Sequence, residues 1–184
     1  MVGDPYLPKT EFARYGCLNT VRIRSNDAFT HVAALPTTRA ELVLYNAEPT
    51  GGNCYVIDSV WHLGITSMAA AGSVAIVAQI VPSASAPTQD TNQLITNNRG
   101  STYAGLAKRA VAQTSAVANK WELLASSNSG GSATAQIGLA TYAECWGKFV
   151  IRPGDMFAVN VVAGTAAGTA IMGISWAEYQ LNLQ

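Results

Sequence analysis

The fold is decided near the C-terminus, where the chain reads FVIRPGDMFAVNVV over residues 149–162 and AIMGISWAEY over residues 170–179. In the middle of the first run, large apolar side chains alternate with alanine and asparagine, which is the period of a half-buried antiparallel strand. Pro153 and Gly154 precede that strand as turn residues. Residues 163–169, between the two runs, include no large side chain. The pattern predicts strand, loop, strand, a hairpin from which an all-β domain can be built.

Similar alternation recurs along most of the chain. The strand-like runs are 41–45, 54–65, 73–81, 120–126, 134–140 and 142–151. Segment 94–119 is predicted to be mostly irregular. About eight to ten strands with no convincing long helix predict an antiparallel β-sandwich of jelly-roll type over residues 39–184.

Two of these runs carry more specific expectations about burial. In run 54–65 the large apolar residues share one parity, and Asp58 and His62 share the other. Run 73–81 is apolar at both parities, as in a strand that lies between two layers.

The N-terminal segment, residues 1–38, differs from the rest because its aromatic residues are scattered without a sustained period. We predict an extended arm, which either clips onto a neighbouring subunit or wraps its own domain. Aromatic anchors bury considerable apolar area, and basic side chains can meet a partner's carboxylates. The candidate partner-binding residues of the arm are Tyr6, Phe12, Tyr15, Arg22 and Arg24.

The composition bounds the function. A chain of 184 residues suffices for one domain with a sizeable core. Its charged fraction is 12%, about half of the roughly 25% usual in soluble domains. Such a weakly charged surface suits packing against copies of itself or a partner lattice, although an ordinary monomer surface is the alternative. The formal net charge is zero, so we expect neither a nucleic-acid nor a membrane partner.

The cysteines and the N-terminus indicate where the chain is made. Cys17, Cys54 and Cys145 cannot all pair within the chain, and none has a metal-like spacing. Two of them lie in apolar runs, where a thiol behaves as a small buried side chain. No signal-like apolar stretch opens the chain. We therefore expect synthesis in a reducing cytoplasm. No cluster of His, Cys and Asp has metal-ligand spacing and no phosphate loop is present, so we expect no metal and no cofactor.

No catalytic grouping accompanies the β pattern. The two histidines are His31, in the arm, and His62, in a predicted strand, where a hydrogen-bonded structural histidine is commoner than a catalytic one. The carboxylates are spread over separate strands or turns, where solvated strand-end charges are expected: Asp58, Glu122, Glu144, Asp155 and Glu178. The sequence thus predicts a protein that is not an enzyme, and a hydrolase on a β-sandwich is a third and weaker hypothesis.

The tryptophans divide by parity. Trp121 and Trp176 fall with the core, whereas Trp146 lies opposite Cys145 and Phe149 and is predicted to be exposed. Trp146 is therefore the candidate for a subunit contact or a ligand platform.

The motifs LVLYN at 42–46 with NCYVIDSV at 53–60, and IRPGD at 151–155 with ISWAEY at 174–179, carry a resemblance. Over about residues 40–181 the chain resembles the jelly-roll structural proteins of tailed-bacteriophage virions, of the capsid decoration or cement type. The resemblance implies a non-enzymatic protein on the capsid surface of a virion. It also implies homotrimers seated at junctions between major capsid proteins.

The alternative function is a carbohydrate-binding or receptor-binding head of a phage fibre. Its site would lie in the segment 82–119 or near Trp146.

Overall fold

The structure is a computed structural model, and it describes residues 18–22, 28–65, 72–82, 87–88, 94–97, 103, 105–109, 116–129, 140–164 and 168–180. Within these ranges every regular element is a β-strand. The strands are β1 (Leu18–Arg22), β2 (Phe29–Thr30), β3 (Leu42–Asn46), β4 (Cys54–Gly64), β5 (Gly72–Pro82), β6 (Leu94–Asn97), β7 (Ala107–Arg109), β8 (Glu122–Ser129), β9 (Ala140–Glu144), β10 (Val150–Ile151), β11 (Asp155–Ala163) and β12 (Thr169–Tyr179).

These strands form two antiparallel sheets. Sheet A has seven strands, with the order β10-β4-β12-β1-β6, while β9 also pairs with β4 and β2 with β12. Sheet B has five strands, in the order β7-β3-β11-β5-β8. No helix among the described residues is long and apolar enough to cross a membrane.

The strand pairing is that of one long antiparallel hairpin, whose paired strands are folded over to form the two sheets. Strands β9 and β10 lie along the same edge of β4 and act as one interrupted strand. When β9 and β10 are counted as one strand, the main strands pair from the two ends of the chain inward. β1 pairs with β12, β3 with β11, β4 with β9 and β10, and β5 with β8. Winding then sets β12 beside β4 and β11 beside β5. This is the arrangement of a jelly roll, as the sequence predicts.

The central core lies between the inner faces of the two sheets. Sheet A contributes fully buried Tyr55, Ile57 and Trp176, and sheet B contributes fully buried Ile76 and Phe157. Burial of such side chains supplies roughly 1.5–3 kcal/mol each. The prediction that Trp176 belongs to the core is confirmed.

Sheet B is buried on its outer face as well. Val43, Val81 and Met156 form a second apolar cluster there, with the partly buried Val117 and Trp121 packed against it. The covering segments are fixed by hydrogen bonds: Trp121 Nε1–H donates to Pro36 O at 2.8 Å, Val117 N–H to Gln79 Oε1 at 3.0 Å, and Ala116 N–H to Thr38 O at 3.2 Å. The prediction that run 73–81 lies between two layers is thus confirmed, while Trp121 lies in this outer layer and outside the central core.

The predicted C-terminal hairpin is wrong. β11 lies in sheet B and β12 in sheet A, so the loop between them crosses from one sheet to the other. β11 is also buried on both faces instead of one. Alternation fixes which side chains share a face, but it does not say which strand is the neighbour.

A β-bulge interrupts the long strand β4. Ser59 is opposite Ser175 and Ile57 is opposite Trp176, so Asp58 is the extra residue. The bulge reverses the parity, because Tyr55 and Ile57 point inward before it and Val60 and His62 after it. The single-face prediction for run 54–65 therefore fails beyond Asp58: Leu63 is exposed and His62 is buried.

Part of the predicted N-terminal arm belongs to the sandwich. β1 lies between β12 and β6, and β2 pairs with the start of β12. A crossing segment, residues 29–32, then passes from sheet A to sheet B, where Val32 bridges Val162. For these residues the chain wraps its own domain, while the domain boundary at residue 38 stays a prediction.

The strand count and the irregular region also differ from expectation. The described residues form twelve strands, more than the predicted eight to ten, because single predicted runs are broken by turns and the segment 94–119 contains β6 and β7. The predicted strand at 134–140 lies outside the described residues except for its last residue. Cys54 and Cys145 are buried thiols that form no disulfide, as expected, and Cys17 is not described.

One testable consequence concerns Gly173 on β12, which lies opposite Trp61 on the outer face of sheet A. A Cβ atom at Gly173 would overlap the indole of Trp61. We expect Gly173→Ala to lower the free energy of unfolding by about 1–3 kcal/mol, because the indole must move to make room. In a Trp61→Ala background the same change should cost little. Urea unfolding of the four proteins checks this, and an equal loss in both backgrounds would contradict it.

Candidate interaction surface

The candidate surface centres on a tight turn between β9 and β10. Lys148 N–H donates to Cys145 O at 2.8 Å, and both central residues have positive φ, 48° at Trp146 and 74° at Gly147. Positive φ at both central positions is typical of a type I′ turn, in which glycine and asparagine are the favoured residues. A tryptophan with positive φ strains the backbone, and such strain persists only where the surrounding structure enforces the conformation.

The enforcing contacts come from the bulge in β4. Cys145 N–H donates to Asp58 O at 2.7 Å and Gly147 N–H to Ile57 O at 3.3 Å, while Phe149 O accepts from Ile57 N–H at 3.0 Å. The side chains of Cys145 and Phe149 are buried in the core. The turn is thus held at both ends, and the indole of Trp146 is left 72% exposed. The exposure of Trp146 agrees with the sequence analysis.

The turn lies where an edge of sheet A meets an edge of sheet B. Lys148 forms an ion pair with Glu122 at the start of β8, and both side chains are about half exposed. Farther along, Ser127 Oγ on β8 and Thr141 Oγ1 on β9 are 2.6 Å apart. Two short cross-sheet contacts therefore join β8 to the β9–β10 edge, and the Trp146 turn is part of that junction.

Other large apolar side chains are exposed on the same two strands. Tyr142 on β9 is 53% exposed and Leu123 on β8 is 63% exposed. Tyr142 is opposite the half-buried Trp61, next to exposed Leu63, on the outer face of sheet A. We call the edge that carries Leu123, Tyr142 and Trp146 the junction surface. Leu123 faces away from the central core, against which its neighbour Leu124 packs, and so lies on the sheet B side of this edge. Exposed aromatic residues next to an ion pair form the kind of surface that anchors a protein partner or stacks on a ligand.

The remaining predicted partner-binding residues are not brought to this surface by the described structure. Arg22 is the last residue of β1, paired with Gly173 and Leu94. Tyr6, Phe12, Tyr15 and Arg24 lie outside the described residues.

The histidines and carboxylates do not form a hydrolytic arrangement in the described chain. His62 Nε2 is 2.9 Å from His31 Nε2, and both rings are buried. His62 Nδ1 has no hydrogen-bonding partner among the described residues, so no carboxylate there orients His62 as a triad would require. Ser59 Oγ–H donates to Asp58 Oδ2 at 2.9 Å. Among the described residues, no three histidine, cysteine or acidic side chains come together as metal ligands.

Glu178 is one carboxylate that the sequence misplaced. Instead of a solvated charge, it accepts hydrogen bonds from the Tyr103 hydroxyl and from Trp176 Nε1–H, the latter at 3.1 Å. Tyr103 in turn accepts from Ala107 N–H at 3.0 Å. Burial, followed by the hydrogen bond to Glu178, raises the pKa of Tyr103. This cluster fixes the segment before β7 against the C-terminal strand.

Two features of the junction surface escaped the sequence analysis. The exposure of Leu123 was missed because a second register shift, between Ile76 and Val77 of β5, changes the parity of β8. The turn itself was missed because 142–151 was interpreted as one strand. The signal was present in the dipeptide Trp146-Gly147, since X-Gly between alternating runs is a hairpin-turn pattern.

The strain at Trp146 leads to a testable prediction about stability. We expect Trp146→Asn to raise the free energy of unfolding by about 0.5–1 kcal/mol, because asparagine tolerates positive φ and the exposed indole contributes little burial. Tyr142→Asn on the neighbouring strand is the matched control and should lower it, because asparagine disfavours extended backbone. Urea unfolding measures both, and an equal loss in the two variants would contradict a strained turn.

The comparisons with known proteins are sparse. No protein-family model matches the chain, and no curated protein matches it. Among solved structures, the chain is similar to one from the cryo-EM structure of Mud Crab Dicistrovirus, at 12% identity and a TM-score of 0.23, over all of this chain and 75% of that one. The likeness is therefore a weak one, to a virus particle, and the function is argued from the described geometry.

Proposed function

We propose that the chain is a non-enzymatic structural protein of a virion, a decoration or cement protein that binds the outside of a capsid through the junction surface. The observation that supports this proposal is the Trp146 indole, which is 72% exposed on a turn whose backbone is strained. A solvent-exposed tryptophan on a rigid support loses little conformational freedom on binding. Tryptophan is also one of the residue types enriched among the interface residues that contribute most to binding energy.

The low charge supports the same proposal. With 12% charged residues and no net charge, association with a partner requires little desolvation of ions. The ion pair between Lys148 and Glu122 remains half exposed at the rim of the junction surface. The partner site should therefore be largely uncharged, with an apolar cleft that accepts an indole.

Assembly as a homotrimer on the major capsid protein is part of the proposal. Each copy would contribute modest contacts, and three linked copies bound at once gain affinity without any new contact. The arm aromatics Tyr6, Phe12 and Tyr15 would add contacts. The arm should be tested by substitution and not by deletion past residue 17, because β1 begins at Leu18 inside sheet A.

A second candidate is a carbohydrate-binding or receptor-binding head. The observation in its favour is that Trp146 and Tyr142 are both exposed aromatics on one edge, since aromatic faces present the amphipathic surface that such ligands use. Jelly rolls occur in both capsid and lectin domains, so the fold does not decide between the two functions.

The test is the affinity of purified protein for particles stripped of it. We expect Trp146→Ser to weaken binding by about 30-fold or more, which corresponds to about 2 kcal/mol, as for a hot-spot tryptophan. Leu106→Ser is the matched control, because Leu106 is 44% exposed beside β7, at the edge of sheet B opposite β8. The control should bind like the original protein.

Three outcomes would count against the capsid proposal. Equal binding by the Trp146 and Leu106 variants would show that the junction surface does not bind the capsid. A monomeric mass in light scattering would contradict the proposed homotrimer. Failure to bind particles, together with Trp146-dependent binding to a glycan array, would favour the second candidate.

A further inference from the structure

The two histidines of the chain meet in the interior, although they are 31 positions apart in the sequence. His31 lies in the crossing segment (residues 29–32), and His62 lies on β4 after the bulge. Each ring is almost fully buried, with 3% and 1% exposure. Phe29 packs edge-on against His31, with ring centroids 5.9 Å apart. The pair closes the end of the sandwich where the chain passes between the sheets.

The crossing segment is also held by other contacts, since Phe29 is 7% exposed and belongs to the central core. In sheet A, His31 N–H donates to Gly168 O at 2.9 Å, next to the two-residue pairing of β2 with β12. In sheet B, Val32 O accepts from Ala163 N–H at 2.9 Å. The contact between the two imidazoles is therefore a buried polar contact of this segment, beside the burial of Phe29 and the two main-chain hydrogen bonds.

The contact requires the accepting ring to be neutral. A proton on Nδ1 of the donating ring would leave the hydrogen bond in place but would bury a charge. One Nε2 must carry a proton and donate, and the other must accept, so the acceptor ring carries its own proton on Nδ1. Neither Nδ1 has a hydrogen-bonding partner among the described residues. Protonation of both rings would place two N–H groups against each other and bury uncompensated charge.

No acid is positioned to stabilise that charge in the described part of the chain. His31 and its neighbours in the crossing segment include no charged residue. The ionisable groups on the strands packed around the pair point elsewhere or lie at distant ends. On β4, the Asp58 carboxylate accepts a hydrogen bond from Ser59, and on β9 the side chains of Tyr142 and Glu144 are exposed. On β12, the Glu178 carboxylate accepts a hydrogen bond from Tyr103. On β11, Asp155 is the first residue of the strand, at the opposite end from Val162.

We propose that the His31–His62 pair is an acid-operated latch, which holds the crossing segment in the sandwich at neutral pH and releases it in mildly acidic solution. Release would expose residues 29–32, including Phe29, while β1 stays paired between β12 and β6.

The direction of the pH dependence follows from burial. Desolvation, with a smaller effect of His31, lowers the pKa of His62 from 6.5 to about 4, and desolvation lowers the pKa of His31. The folded state thus binds fewer protons than the unfolded state. The latch contributes its full stability above about pH 6.5 and loses it as the pH falls toward about 4. Asp155 acts in the opposite direction, because burial raises the pKa of its carboxyl group, so its protonation favours the folded state.

Hydrogen exchange followed by NMR tests the latch in the intact protein. Between pH 7 and pH 4.5 we expect the protection factor of the Ala163 amide, which donates to Val32 O, to fall by about tenfold or more, as in local opening. The Gly164 amide, which donates to Ser73 O within sheet B, is the matched control and should keep its protection. Both histidine signals, which can only come from this pair, should titrate below 6.5.

The double variant His31→Leu/His62→Leu should show no acid-dependent change at Ala163. If it does not fold, His31→Gln, which can still hydrogen-bond to His62, should show about half of the proton uptake seen for the original protein. Histidine signals that titrate at or above 6.5, constant protection of Ala163, or an undiminished loss in the double variant would each overturn the proposal.

Discussion

The bulge at Asp58 is the constraint on which the rest of the structure depends. β4 and β12 are the two longest neighbours at the centre of sheet A, and one extra residue in β4 shifts their register. At the bulge, the carbonyl groups of Asp58 and Ile57 accept hydrogen bonds from the amides of Cys145 and Gly147, and these bonds hold the turn that carries Trp146. The same shift turns His62 inward and Leu63 outward. Bulges near functional surfaces commonly re-aim side chains in this way.

The winding of the jelly roll explains why distant parts of the chain meet. Because the first long strand pairs with the last, the N-terminal segment is held next to the C-terminal strand β12. Because the interrupted edge strand β9–β10 comes close to β8, the junction surface combines residues from both sheets. The fold thus separates two regions: an edge that exposes Tyr142 and Trp146, and an end that carries the buried histidine pair.

The sequence was most informative where burial follows parity. The alternation around Cys145 and Phe149 correctly placed Trp146 outside, and the two-sided apolar pattern of 73–81 correctly predicted the layered sheet B. It could not locate the bulge, because inserting one residue into a strand leaves no compositional mark when both faces carry apolar side chains. For the same reason the sequence mispaired β11 with β12, since nothing local distinguishes a hairpin from a crossing between sheets. The contacts between His31 and His62 and between Tyr103 and Glu178 join distant segments, which pattern analysis does not connect.

The most direct test of the account is oxidative footprinting of the aromatic side chains, in the free protein and in particles that carry it. In the free protein, Trp146 and Tyr142 should be oxidised rapidly and Trp176 should be protected, because its indole is fully buried. In particles, Trp146 should become protected while exposed residues elsewhere stay reactive. Equal oxidation of Trp146 in the two states would contradict the claim that this strained, exposed tryptophan is the point of contact.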